Sequence, residues 1–505
     1  MLAIYLTAIK SNTIKRGIYI LKISFLESDT VHSLRKFFIS EKFMLLMFAL
    51  AAIITIFHLE IAGVIIFVFI ISILLVLCDD LLTTTLPFLL VALTLIKCND
   101  SYRVFIHYVG YSAIVIAALI FHFVYYRQKI VLGKALSPMI AASIAVTLGG
   151  VGFLSAKEYF NLVSFYYVFG LGFGMVLIYI ILTTYLNCER DYSVKEKFTD
   201  IMVYMGLFAV FMMLEFYLVN IREVIDTKGI IYMQWRNNIS TFLMLAMPFA
   251  AFKAVKKPSY VFLALIYYLC ILLAGSRGGL IFGGIELVMT ISILIGIDKR
   301  HRWTFIAIAM GIILSAAFYF QDFYGFFSET INRLIMGLMG ITGSEKEVRL
   351  RLFARAFEDF NSNPIFGTGL AYMGNRDVHP SKEFALCWYH CEPLQIMASL
   401  GTLGIVAFSI QLMWRFYIFL KKKTVFNITI LVSYIGLEMM SLVNPGIFCP
   451  IPYLFMVTMY LAIVEMINKT DDTKDLASDI DEKQHFEELD ELEEEMYEDD
   501  EDEYR

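Results

Sequence analysis

The sequence predicts an all-α polytopic membrane protein with about 14 transmembrane helices and one long extracytoplasmic loop that itself contains helix. Three observations predict it. The 505-residue chain is 59% hydrophobic with mean hydropathy +0.70, a composition typical of multi-spanning proteins and unusual for a soluble domain. Apolar segments recur along it, beginning near Phe43, Ile61, Leu81, Val104, Ala135, Leu162, Ile201, Asn238, Tyr260, Gly279, Trp303, Cys391, Val425 and Ile451. Lysine and arginine gather in alternate connections between those segments.

The elements follow in order. Residues 1–42 carry scattered basic residues and no long apolar core, so they read as a cytoplasmic or interfacial N-terminal segment. Residues 43–320 hold helices 1–11. The basic clusters are Arg127/Lys129/Lys134, Arg190/Lys195/Lys197, Lys253/Lys256/Lys257, Lys299/Arg300/Arg302 and Lys421/Lys422/Lys423. By the positive-inside rule they face the cytoplasm, which puts both termini there and the protein in the cytoplasmic (inner) membrane. Residues 321–390 form the outward loop, residues 391–469 hold helices 12–14, and residues 470–505 form an acidic cytoplasmic tail. That tail has nineteen acidic residues against Lys474, Lys483 and Arg505; without it the net charge of −6 becomes about +10. Such composition predicts a disordered, solvated segment.

Several charges sit where a membrane protein avoids them. Arg236, Arg277 and the loop arginines lie on the outer side. Arg277 stands in Ser276-Arg277-Gly278-Gly279, a tight link between two apolar spans. It reads either as a cation for an anionic substrate or as an arginine snorkelling at a helix end. Glu215, Glu286 and Glu438 fall in the outer halves of spans, and either pair with the outer arginines or line an outward-facing polar cavity.

In the loop, Ser344-Glu345-Lys346-Glu347 has capping-box spacing, so a helix is expected to start there. Arg349, Leu350, Leu352, Phe353, Ala356, Phe357 and Phe360 give it a mixed apolar face, and 361–364 ends it. Gly367-Thr368-Gly369 is a turn permitting close backbone approach. His390 then stands on the lip of the next span. It is the candidate base, with Glu392 and His379 as rivals and a merely interfacial histidine as the alternative. The seven cysteines contain no Cys-x-x-Cys, and no second ligand pair completes a metal site around Cys387, His390 and Cys391. No outer loop carries Asp-x-Asp. Neither a metal nor a cofactor nor a nucleic-acid partner is expected.

The stretch Arg349-x3-Phe353-x2-Ala356-x7-Pro364-x2-Gly367-x-Gly369 resembles the signature of the O-antigen ligase and O-antigen polymerase superfamily. His390-x3-Leu394-x6-Gly401-x2-Gly404 resembles that family's catalytic-histidine motif, and Ser276-Arg277-Gly278 its Ser-Arg-Gly link. Cys391 departs from an asparagine frequent in the family, and Phe353 from a tryptophan. The resemblance implies a GT-C-like membrane glycosyltransferase. Its donor would be a glycan on polyprenyl (undecaprenyl) pyrophosphate, its acceptor a glycan or glycolipid hydroxyl, and its neighbours other polysaccharide-assembly proteins. His390 would be the base and Arg277, Arg349 and Arg236 would bind pyrophosphate, with Glu392, Glu215, Glu286 and Glu438 supporting. A flippase for lipid-linked oligosaccharide is the competing reading, though no two-half repeat is visible.

Overall fold

The computed structural model describes residues 24–97, 109–151, 168–186, 192–321, parts of 324–335, 344–370, 389–444, 446 and 453–469. The predicted tail, residues 1–23, His379, Cys98, Cys387 and Cys449 lie outside the described residues. Among those described, every regular element is helical.

The elements are α1 Asp29–Ile39, α2 Glu41–Ile56, α3 Glu60–Leu77, α4 Leu82–Ile96, α5 Ser112–Tyr125, α6 Leu136–Gly150, α7 Met175–Leu186, α8 Val194–Val219, α9 Ile221–Thr227, α10 Arg236–Ala254, α11 Tyr260–Leu273, α12 Gly284–Ile297, α13 Arg302–Phe318, α14 Ser344–Ser362, α15 Glu392–Leu420, α16 Val425–Ser441 and α17 over 453–469. Helices α7 and α12 are extended at their N-termini by π-helical turns, Val168–Gly174 and Gly279–Gly283. Each of the 14 apolar segments thus holds a helix. Five are long and apolar enough to cross a membrane alone: Glu60–Leu77, Val168–Leu186, Val194–Val219, Gly279–Ile297 and Glu392–Leu420. Helices α1 and α2, bent by 69°, make a sixth if taken as one span. Others, such as Leu82–Ile96 and Val425–Ser441, are apolar but shorter.

Helix α10 is the axis of the bundle. It is apolar all round, buried from Ile239 to Ala251, and packs on α8, α11, α12 and α16. Helix α15 packs on α6 and α14. Peripheral helices turn large apolar side chains outward, among them Ile116, Ile120, Val288 and Met413, as a lipid-facing surface requires.

The two ends of the bundle differ in chemistry. At one end Lys253 Nζ lies 2.5 Å from Asp200 Oδ1, and Lys256 pairs with Glu196. Lys197 Nζ donates to the Ile39 carbonyl at 2.6 Å. Lys134, Lys421 and Lys469 share a cavity at this end. The basic clusters read from the sequence therefore collect together. The opposite end carries the N-terminus of α10, the α11–α12 link and the C-terminus of α16.

Candidate active site

Helix α15 is not one straight rod. Gly401 has φ +64° and ψ −160°, values no L-residue adopts comfortably. The chain turns back there. Ile396 Cγ2 would lie 3.4 Å from a Cβ on Gly404, whereas eight residues of straight helix span about 12 Å. Glu392 also acts electrostatically on Arg415, although a straight helix would hold them about 35 Å apart. Residues 392–400 are a short helix folded back beside 402–420. Gly401 makes the reversal, and Gly404 leaves room for the returning arm. His390 to Glu392 lie at the far tip of the returning arm, because Gly401 reverses the chain.

Such a break orphans backbone groups, and the loop replaces the lost partners. Thr402 and Leu403 N–H donate to the carbonyls of Pro364 and Ile365, at 2.8 and 3.2 Å. Thr368 and Gly369 N–H donate to the carbonyls of Ala398 and Ser399, at 2.9 and 3.0 Å. Leu370 N–H donates to the Gly150 carbonyl at 2.6 Å, tying the same strap to α6. A Cβ at Gly367 would overlap the Ser399–Leu400 backbone, and one at Gly401 would lie 2.5 Å from the Ile365 carbonyl. The close approach expected at Gly367-Thr368-Gly369 is this weld between loop and broken helix.

Helix α14 starts at the anticipated Ser344 and ends at Ser362. Its buried stripe is narrower than expected. Leu352, Ala356 and Asp359 are buried, while Leu350 and Phe357 are more than half exposed. Ala356 packs with Tyr389, Leu394, Met397 and Ala398 of the folded-back arm. The Tyr389 hydroxyl donates to Asp359 Oδ2 at 2.5 Å, and Arg355 Nε lies 3.1 Å from Asp359 Oδ1. Burial raises the Asp359 carboxyl above the usual range, against the pull of Tyr389 and Arg355. Half-buried Arg349 rides on the first turns of this helix.

His390 is half-buried with φ +51°, one of three non-glycine residues with left-handed backbone among those described. Its neighbours are fixed. Tyr389 N–H donates to Gln395 Oε1 at 3.2 Å, and Gln395 Nε2 donates to Ser399 Oγ at 2.8 Å. Burial pushes the Cys391 thiol up, so it is no ready thiolate nucleophile. Glu392 is buried with its carboxylate laid on Gly446, where only a glycine leaves space.

The turn after α16 that holds Gly446 also meets the Ser-Arg-Gly link. A Cβ on Gly278 would contact Val443 at 2.9 Å and Met440 at 3.2 Å. Ser276 Oγ donates to Asn237 Oδ1 at 2.8 Å, and Asn237 Nδ2 reaches Asn444 Oδ1 at 3.4 Å. Arg236, beside Asn237, stacks over the Tyr232 ring at 5.6 Å, and that ring packs on Gly275, whose φ is +68°. Arg236, Arg277 and the His390–Glu392 tip are thus gathered around residues 440–446. Arg349 lies two turns before Ala356 on α14, the helix whose Ala356 and Asp359 pack on the arm that carries His390.

The three carboxylates separate. Glu215 Oε2 lies 2.9 Å from Lys97 Nζ. Glu438 Oε1 lies 3.1 Å from Arg415 Nη1. Both form ion pairs, but with Lys97 and Arg415 in place of Arg236, Arg277 or the loop arginines, because the packing sets Lys97 against Glu215 and Arg415 against Glu438. Glu286 is fully buried against Gly436, and neither oxygen has a hydrogen bond among the described residues. Arg415 was not singled out from the sequence. It is 3% exposed, donates to Gln411 Oε1 at 2.7 Å and to Tyr434 Oη at 3.3 Å, pairs with Glu438, and feels the charge of Glu392. An arginine inside an apolar run opposite Glu438 was the available signal. Among the described residues no group of three or more His, Cys, Asp or Glu could hold a metal ion.

Residues 261–409 match the O-antigen ligase family model. The similarity to that family is confined to those residues. The match supports the superfamily resemblance and spans the Ser276–Gly278 link, α14, the Pro364–Leu370 strap, His390 and the Gly401 reversal. No curated protein matches the chain. The matched family is one of surface-polysaccharide ligases, and five helices are long and apolar enough to cross a membrane.

Proposed function

We propose that the chain moves a glycan from polyprenyl pyrophosphate to an acceptor sugar hydroxyl at the outer face of the cytoplasmic membrane. The observation that supports this is the shared 440–446 turn, which touches both the Arg277 link and the His390–Glu392 tip. In this reading both termini face the cytoplasm, α14 and the Pro364–Leu370 strap lie on the outer side, and the whole is a GT-C-like arrangement.

In this reading the pyrophosphate leaving group gains negative charge as the glycosidic bond breaks. Arg277, Arg349 and Arg236 bind its oxygens, since guanidinium offers a planar fork that lysine lacks. Donors aimed at developing charge contribute about 3–4 kcal/mol each where water is excluded. His390 takes the acceptor hydroxyl proton as the oxygen attacks the anomeric carbon. One base and several cations, with no nucleophile pair, give direct displacement with inversion and without a metal. Glu392, beside Arg415, supports the tip that carries the base. We favour a polymerase, which extends one lipid-linked repeat onto another, over a ligase.

The test is purified protein with a defined polyprenyl-pyrophosphate oligosaccharide and analysis of product length. His390→Ala should lower transfer about 10²–10⁴-fold, the usual worth of a positioned base, with lipid-linked glycan accumulating on the outer face. Full transfer by that variant, or accumulation on the inner face, would reject the reading; a single product length set by one acceptor would make it a ligase.

A further inference from the structure

Gln395 is a polar residue in an apolar arm. It is 2% exposed, and its neighbours Leu394, Met397 and Ala398 pack with Tyr389 and with Ala356 of α14. A buried amide needs partners at both its ends. Oε1 accepts from Tyr389 N–H at 3.2 Å, and Nε2 donates to Ser399 Oγ at 2.8 Å. The backbone of the same residue reaches the other flank of the histidine, where its N–H donates to the Cys391 carbonyl at 2.9 Å. Gln395 thus grips the chain on both sides of His390.

This differs from an ordinary helix start. Cys391 is the N-cap of α15, and its side chain makes no capping hydrogen bond. In a capping box, a Glu or Gln three residues past the cap reaches back to the cap's own N–H. Here the amide comes one residue later and reaches two residues further back, to Tyr389, so that His390 stands inside the loop it closes. His390 has φ +51°, a conformation that persists in a non-glycine residue where the surroundings fix it. The points that fix it are themselves anchored. Tyr389 Oη donates to Asp359 of α14 at 2.5 Å, and the Ser399 carbonyl accepts from Gly369 N–H at 3.0 Å. Gln395 joins these two anchors across the arm.

We propose that Gln395 is a positioning residue for His390: its amide holds the 389–391 loop in the left-handed turn that aims the imidazole at the acceptor hydroxyl. This role rests on His390 acting as the base, and Gln395 works only through it.

The test is a double-mutant cycle on transfer by the purified full chain, with a polyprenyl-pyrophosphate oligosaccharide as donor. Gln395→Met keeps the length of the side chain and removes both of its hydrogen bonds. It should lower kcat about ten- to hundredfold, as misplacing a reacting group by about 1 Å does, and leave KM for the donor unchanged. In the His390→Ala background the same substitution should lower transfer no further, because residues that act as a unit are not additive. Ser399→Ala removes only the far anchor of the amide. It should give a smaller loss in the wild type and none beside His390→Ala, and it carries the cycle if Gln395→Met does not fold. Wild-type turnover in Gln395→Met, a loss confined to KM, or an equal fold-loss with and without His390 overturns the positioning role and leaves the base standing. Full transfer by His390→Ala removes the base itself, and the positioning role with it.

Discussion

Ile396 packs against Gly404, eight residues later in the same helix, because the chain reverses at Gly401 between them. Two glycines of one motif thus have different mechanical roles. Gly401 supplies a left-handed backbone, and Gly404 supplies space. The stretch from His390 to Gly404 is the blueprint of a hairpin.

Gly401→Ala should therefore damage the site out of proportion to its size. The left-handed conformation costs an L-residue about 1–2 kcal/mol, and the new methyl would also meet the Ile365 carbonyl at 2.5 Å. We expect transfer to fall at least about tenfold, since misplacement by about 1 Å already costs more than that, with a lower melting temperature. Gly311→Ala in α13 is the control. Nothing lies within 4 Å of its Cβ, so stability should hold or rise by up to about 1 kcal/mol. Equal behaviour of the two variants in transfer and thermal melts would count against the hairpin.

Arg415 and Glu438 should behave as a coupled buried pair. Arg415→Met alone strands a carboxylate and is expected to cost about 3–5 kcal/mol. Arg415→Met with Glu438→Met should recover most of that stability, because a well-packed apolar pair tolerates the same space. Transfer should not recover, since Glu392 has still lost the cation it faces. A double-mutant cycle read both by melting and by turnover separates the two effects. Recovery of both would make the network purely structural.

The all-helical architecture, the start of α14 and the basic end of the bundle were legible because each follows from local sequence: an apolar run, a capping box, a charge cluster. The hairpin was not. Residues 391–420 have the composition of a single span, and Gly401 inside them looks like any helical glycine. What reverses the chain is the partner strap, whose Pro364 and Ile365 carbonyls accept the orphaned N–H groups of Thr402 and Leu403. Those contacts join segments more than thirty residues apart, and no periodicity carries them. The ion-pair partners were hidden for the same reason. Glu215 and Lys97 are 118 positions apart. Asp359 was unmarked because an acidic residue gives no apolar signal, although it falls on the same helix face as Leu352 and Ala356.

Asp359 predicts a pH dependence of α14 docking. Its folded carboxyl is raised by burial, so the protonated form is the one favoured by folding. The associated stability is fully present below the unfolded aspartate range, near pH 4, and is lost as pH rises through the folded value. Hydrogen exchange of residues 389–398, corrected for intrinsic rates, should then show greater protection near pH 4 than at pH 7. Asp359→Asn should flatten that difference, because an amide does not titrate. An unchanged pH response in the variant would assign the effect to another group.

Glu286 lies apart from these ion pairs and should respond differently. It is fully buried on α12, and its oxygens rest on Gly436. Burying a polar group without hydrogen bonds costs about 1–3 kcal/mol by protein mutational data. Glu286→Met keeps the volume and removes that cost, so the melting temperature should rise while transfer stays near wild type. Gly436→Ala should do the opposite, because its methyl would stand 2.7 Å from both carboxylate oxygens. If Glu286→Met folds well but loses turnover, the carboxylate belongs to the reacting machinery, and the polar centre of the protein extends from the His390 tip down between α12 and α16.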